Sequence, residues 1–388
     1  MDGWSVFFVN ETKYSKVKNW IKSKILDGTF ESKQKILSET ELMEQFNYSR
    51  HTVRLALGEL VSEGWLYKEQ GAGTYVSERT ETEIKAPTTT NKKNIAIIVT
   101  YISDYIFPSI IRGAESVLSQ EGYQVSLFST NNDHENERKI LETIIAQRFD
   151  GVIVEPTKSA ISNPNIIYYL QLEALNIPYI MINAAYDELE PVSVVLDDVK
   201  GGYIQANHLI GLGHRNIVGF FKTDDLQGLK RMKGFLKALR ENAVPINPKH
   251  IVTYSTGEKM SKPVKALENM IKTSSEIPTG IVCYNDELAL KLIDVLRKNN
   301  LRVPEDLSII GFDDSFFADI SEVKLTTVRH PKNELGEMAA KKIIELVEGK
   351  NNQSAVSTMD ESFHFEPTIV HRNSIKEMTK NLHMFNSN

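Results

Sequence analysis

Arg50, His51, Thr52 and Arg54 crowd polar donors into a turn and a half directly after Ser49. An arginine at such a place can grip guanine O6 and N7 through two parallel hydrogen bonds if the helix enters the major groove tip first. A second set of reactive residues is spread over more than 200 positions. Tyr101, Asp104, Phe107, Glu155, Lys158, Asn183, Asn285, Asp286, Asp313 and Asp314 each follow a short apolar run. Both signs of charge and several rings in one place would suit a neutral polyhydroxy ligand, held by paired hydrogen bonds and by stacking. Any one of them could instead cap a helix, and Asp286 and Asp314 fit that role as well as a ligand role.

The elements that would carry the first set are legible from periodicity and caps. Tyr14, Val17, Ile21 and Ile25 share one helical face, and Gly28 ends that run. Ser38 with Glu41 makes a capping box for a short second helix buried through Leu42 and Phe46. Ser49 caps a third, whose apolar face is Val53, Ala56, Leu57, Leu60 and Val61 and whose end is Gly64. Trp65–Tyr67 and Thr74–Val76 then read as the arms of a hairpin with Gly71 and Gly73 at its tip. Taken alone, the third helix also fits a solvated amphipathic helix; three helices followed by a hairpin make it a winged helix-turn-helix.

Residues 79–93 have no periodicity and little apolar content, which marks a linker. From Asn94 onward strand-like runs alternate with helices: Ile95–Val99, Tyr123–Phe128, Val152–Val154, Ile177–Ile182, Ile217–Phe221, Ile251–Tyr254, Ile281–Tyr284 and Leu307–Ile310. That alternation implies parallel sheets covered on both faces, and so many units predict two lobes. Ligands of such sheets bind beyond the carboxyl ends of the strands, which is where the second set lies. The expected fold is therefore α/β: a winged head over residues 10–78, a linker over 79–93 and a two-lobed body with two parallel sheets over 94–373.

Composition bounds the function. The 388 residues carry a net charge of −6, and residues 1–93 hold 14 Lys and Arg against 13 Asp and Glu, so DNA binding must rest on where charges sit. No apolar run approaches the roughly 18 residues of a membrane span, and Trp4–Val9 lacks the basic leader of an export signal, so a cytoplasmic protein is expected. Cys283 is the single cysteine and sits in an apolar run, as a structural thiol does. No phosphate-cradling loop, nucleophile elbow or dinucleotide fingerprint is present, and His214, His250, His364 and His371 lack metal-ligand spacing. No catalytic residue, metal or cofactor is expected; a sugar-processing enzyme on the same two-lobed body is the rival reading.

Two resemblances add to this. Ser49–Arg54, Leu60, Gly64 and Gly71–Val76 are similar to GntR-type winged helices, with Leu37 standing where that family usually has proline. The resemblance implies that Glu39, Arg50, His51 and Arg54 face bases or phosphates and that Gln70 and Gly71 reach the minor groove; Lys13 and Lys16 are candidate phosphate contacts, although either one singly fits a solvated face better. Arg231–Phe235, Tyr284–Ala289, Val303–Asp314 and Leu325–Pro331 resemble the effector domain of LacI/GalR-type regulators, which is periplasmic-binding-protein-like. There the resemblance implies sugar contacts by Arg231, Asn285, Asp313 and His330. With Thr100–Pro108, Glu155–Ser159 and Leu196–Gly201, the composite resembles the arabinose-responsive repressors. What that implies is a homodimer on a palindromic operator in double-stranded DNA, released by L-arabinose and controlling genes of sugar utilisation.

Overall fold

The computed structural model describes residues 13–26, 28–62, 64–69, 73–77, 93–103, 105–273, 277–349 and 361–378. The expectations for Gln70, Gly71, Asp104 and most of the linker lie outside these. The chain divides into two compact units, residues 1–91 and 92–388.

The first unit consists of α1 (Lys13–Leu26), α2 (Glu39–Phe46), α3 (Arg50–Ser62), β1 (Leu66–Glu69) and β2 (Gly73–Val76). Val17, Ile21, Leu42, Val53, Leu57 and Leu60 interlock under the antiparallel hairpin, whose Leu66 and Val76 close the core. Local chemistry sets the boundaries. The Ser38 hydroxyl accepts from Glu41 N at 3.3 Å while the Glu41 carboxylate accepts from Ser38 N at 2.7 Å. Asn47 ends α2 in the left-handed conformation, and Gly64 follows α3 at φ 73°, where a side chain would be strained. A feature absent from the sequence reading is an isolated β-bridge between Lys35 and Tyr75: Ile36 N donates to Thr74 O and Lys33 N to Val76 O, which stitches the loop before α2 to the wing.

The second unit holds two six-stranded sheets. One contains β3 (Asn94–Val99), β4 (Gln124–Ser129), β5 (Gly151–Val154), β6 (Tyr179–Ile182), β7 (Ser193–Leu196) and β13 (Phe363–Phe365), in the order β13-β7-β6-β5-β3-β4. The other contains β8 (Ile217–Lys222), β9 (Ile251–Tyr254), β10 (Gly280–Cys283), β11 (Ser308–Asp313), β12 (Thr326–Arg329) and β14 (Thr368–Val370), in the order β14-β12-β11-β10-β8-β9. Every pairing is parallel except β12 with β14, so the second sheet has an antiparallel edge that the expectation of two parallel sheets lacked. Strands β7, β12, β13 and β14, of three or four residues each, also went unread as strands.

Helices α4 (Phe107–Gln120), α5 (His134–Gln147), α6 (Ile166–Ala174) and α12 (Lys332–Gly349) cover the first sheet. Helices α7 (Asp198–Gly211), α8 (Leu226–Glu241), α9 (Lys262–Thr273), α10 (Asp286–Lys298) and the short α11 (Phe316–Ile320) cover the second. Among the described residues the chain therefore crosses between lobes three times, from β7 to α7, from β12 to α12 and from β13 to β14. The strand ends of both lobes face one cleft between them.

Candidate functional site

The cleft has a volume of about 480 Å³ and is lined from both lobes. Tyr101, Phe107, Glu155, Lys158, Asn183, Arg231, Asn285, Asp313 and His330 all line it, so the structure brings together every described residue expected to face an effector. Its backbone is unusual. Tyr105, Lys158, Asn183 and Asp313 have φ of 60°, 44°, 65° and 96°, left-handed conformations that cost a residue other than glycine about 1–3 kcal/mol and cluster at functional sites.

Arg231 is the centre of the second lobe's wall. It is 4% exposed, and α7 and α8 meet backbone to backbone beside it, since a Cβ on Gly202 would collide with the Arg231 carbonyl oxygen. That approach brings Asp198, at the start of α7, within reach: Arg231 Nε donates to Asp198 Oδ1 at 2.8 Å. Nη1 donates to Tyr284 O at 2.7 Å, Nη2 lies 3.6 Å from Asp313 Oδ1, and the guanidinium stacks 3.4 Å from the Phe312 ring centre. Burial raises the Asp198 pKa to about 6 against the pull of Arg231. Burial likewise raises Asp313, again with Arg231 opposing.

The first lobe contributes a chain of hydrogen bonds. Thr100 N and Oγ1 donate to Glu155 Oε2 at 2.9 and 2.6 Å, and Asn183 Nδ2 donates to Glu155 Oε1 at 3.0 Å. Asn183 Oδ1 lies 3.2 Å from His330 Nε2. Burial pushes the His330 pKa down to about 3, so its ring is neutral at physiological pH. What remains is a set of buried acceptors with no hydrogen-bond partner among the described residues: Asp313 Oδ1, His330 Nδ1 and Gln227 Oε1. Arg231 Nη2 stands 3.6 Å from Asp313 Oδ1, beyond hydrogen-bond distance, and leaving buried acceptors without a hydrogen bond costs about 1–3 kcal/mol each, so a ligand bearing several hydroxyl donors would complement this cleft.

The lobes also touch directly. Tyr105, on the loop after β3, donates its hydroxyl to Phe312 O at 3.2 Å and accepts from Asp286 N at 3.1 Å. Asn132 Nδ2 donates to Thr256 Oγ1 at 3.1 Å and Leu226 N to Ser159 Oγ at 2.9 Å. Asp286 and Asp314 take the structural role. Asp286 accepts from Thr327 Oγ1 at 2.6 Å and Ser315 N at 2.8 Å, and burial followed by nearby Asp313 raises its pKa to about 7. Asp314 pairs with Arg372 at 2.7 Å. The amide oxygen of Asn285 caps α10 by accepting from Leu288 N at 3.0 Å.

On the winged unit, Ser49, Arg50, His51 and Arg54 are exposed at the tip of α3, while Ala56, Leu57 and Leu60 anchor its other end. Ser49 Oγ accepts from Thr52 N at 3.3 Å, so Ser49 acts on the helix start in the free protein. Arg54 Nε donates to half-buried Glu39 at 2.9 Å. An exposed pair of this kind is worth about 0–1 kcal/mol, so Arg54 can exchange Glu39 for a base or phosphate at little cost. Lys16 is exposed on α1; Lys13 opens that helix, its side chain being outside the described part.

Comparison with known proteins agrees with this division. The gntR family of bacterial regulatory proteins matches residues 13–76, and the periplasmic binding protein-like domain matches residues 206–374. An arabinose metabolism transcriptional repressor from Halalkalibacterium halodurans is 58% identical over 368 residues, which is 95% of this chain and 97% of that protein. Its counterpart from Geobacillus stearothermophilus is 49% identical over 367 residues, covering 94% and 98%. The chain belongs to the arabinose metabolism transcriptional repressor family. It is a DNA-binding transcriptional repressor, which removes the enzyme reading. Among solved structures, a LacI family transcriptional regulator from Enterococcus faecium with bound ribose has the same fold at a TM-score of 0.62 and 24% identity, over 74% of this chain and all of that one. No described helix of this family member is long and apolar enough to cross a membrane.

Sequence reasoning missed several cleft residues. The apolar run makes Tyr284 the last residue of a strand that stops at Cys283, and no residue after β8 is singled out from sequence, so Asp225, three positions beyond Lys222, is missed. Tyr105 and Asp198 carried a local signal, the stretches Thr100–Pro108 and Leu196–Gly201, without a residue being singled out. Gln227, inside the first turn of α8, had none.

Proposed function

We propose that this repressor binds a near-palindromic operator as a homodimer and releases it when L-arabinose fills the cleft. The observation that carries the effector reading is the set of buried acceptors on Asp313, His330 and Gln227 around a cavity with balanced charges. Lys158, Lys222, Arg231, Lys259 and Lys291 face Glu155, Asp198, Asp225, Glu287 and Asp313, which favours a neutral ligand over a sugar acid or phosphate. The name of the two relatives supports arabinose within that class. For the dimer, support comes from exposed Phe316, Phe317 and Ile320 on α11, and from the small footprint of one winged head.

Release requires that sugar prefer the conformation that does not fit DNA. A hundredfold preference supplies about 2.7 kcal/mol per site, enough to empty an operator under a modest excess of protein. Calorimetric titration with L-arabinose, D-xylose, D-ribose and D-galactose, beside operator anisotropy with and without each sugar, tests this. The expected outcome is saturable binding of L-arabinose, one per chain, with a matching loss of operator affinity. Operator affinity that L-arabinose leaves unchanged would remove the release mechanism, and a monomer in sedimentation at micromolar concentration would remove the dimer.

A further inference from the structure

Glu155 and Asn183 line the cleft, yet each of their side-chain polar atoms already has a protein partner. What they do follows from donor and acceptor logic. A carboxylate only accepts, so Asn183 must turn its amino group toward Glu155, and its carbonyl oxygen then faces His330. Nothing but an N–H can satisfy that oxygen, so His330 donates from Nε2. A neutral imidazole has a single N–H, and therefore Nδ1 is left as a bare acceptor, buried and without a partner among the described residues.

We propose that Glu155 and Asn183 are positioning residues that lock the tautomer of His330, so that the cleft reads a hydroxyl donor at that point and rejects a group that can only accept. The consequence for specificity rests on the effector reading above; the tautomer itself does not. Glu155→Gln inverts the logic with almost no change in shape. Thr100 N still needs an oxygen, so the new amino group faces Asn183. Asn183 must then flip, His330 Nε2 must accept, and the proton moves to Nδ1, turning the cleft-facing atom into a donor.

The test uses full-length protein labelled with 15N-histidine, with His330 assigned by the signals lost in His330→Gln. In the ligand-free wild type the nitrogen shifts should place the proton on Nε2, and in Glu155→Gln on Nδ1. A proton on Nδ1 in the wild type, or on Nε2 in both proteins, overturns the proposal. Where Glu155→Gln does not fold, Asn183→Ala serves, since losing the acceptor should replace one tautomer by a mixture; an unchanged single Nε2–H form overturns the lock. The ligand arm titrates L-arabinose and its monodeoxyfluoro analogues, because fluorine cannot donate. At one ring position the wild-type preference for hydroxyl should shrink about two- to tenfold in Glu155→Gln, and an unchanged preference at every position overturns the specificity claim. Failure of the wild type to bind L-arabinose at all would instead defeat the effector reading, and the nitrogen shifts would still decide the tautomer.

Discussion

The tip of α3 and the cleft of the body solve recognition in opposite ways. At the tip, the residues proposed to meet DNA fall within six consecutive positions, and Ser49, Arg50, His51 and Arg54 among them are exposed. In the cleft, residues from Tyr101 to His330 converge from both lobes, are largely buried and hold one another in place. DNA brings its own charge and shape to an exposed surface, so the protein need only present donors on a rigid helix. The small neutral sugar proposed as effector would bring neither, and recognising it needs an enclosed shell of oriented groups, which would tie recognition to stability. Head variants should therefore lose binding without losing stability, and cleft variants should lose both.

The largest effect is expected for Arg231→Ala. It leaves Asp198 and Asp313 buried beside an empty place, and breaking a buried pair by removing one partner costs about 3–5 kcal/mol. The sugar requirement should rise roughly ten- to a hundredfold as well, because a charged hydrogen bond is worth about 1.5–3 kcal/mol. Thermal melts beside sugar titration measure the two losses separately. Loss of sugar binding with an unchanged melt would break the link between recognition and stability.

Next in size is a pH dependence confined to the body. The folded pKa of Asp198, about 6, exceeds an unfolded value of about 3.9, so its contribution to stability is fully present below about pH 4 and is lost as pH rises through about 6. That amounts to something on the order of 3 kcal/mol. His330 works in the opposite direction. With a folded pKa of about 3, its contribution is present above the unfolded value of about 6.5 and is lost as pH falls. Across about pH 4 to 6, Asp198→Asn should therefore gain stability with rising pH more steeply than the wild type, and His330→Gln less steeply. Parallel pH profiles of melting for all three proteins would contradict both assignments.

The smallest effect on the fold, with a clear one on DNA, is expected for Arg54→Ala. Its exposed pair with Glu39 contributes about 0–1 kcal/mol, whereas a lost bidentate contact to a base costs about 1–3 kcal/mol and relaxes specificity at one position. Anisotropy with operator variants, beside a melt, checks this; a marked loss of stability would show that the head is built like the cleft.

Helix starts and ends in the head were legible because each rests on residues close in sequence, such as Ser38 with Glu41 or Leu60 followed by Gly64. The strand-end rule likewise placed Tyr101, Glu155, Asn183, Asn285 and Asp313 at the cleft, since a parallel strand and the loop after it are adjacent in sequence. Some strands escaped. Ser193–Leu196 and Thr368–Val370 are not among the strand-like runs of the sequence, and what defines them is pairing along the sheet, β7 with β13 about 170 positions on and β14 with β12 about 40 positions back.

Sequence alone was enough to set the three helices and hairpin of the head, the exposed α3 tip and most of the strand ends that line the cleft, because backbone hydrogen bonding, capping and apolar periodicity act over a few residues. Which atoms remain available to that ligand was settled by packing across long stretches of chain. Arg231 finds Asp198 because glycines let α7 and α8 touch, Asp286 is drawn away to Thr327 and Ser315, and His330 receives its tautomer from Asn183, 147 positions away in the chain. Each of these is a choice between hydrogen-bond partners inside a low-dielectric interior, where an unpaired group is costly and the winner is whichever partner the fold brings within hydrogen-bonding distance.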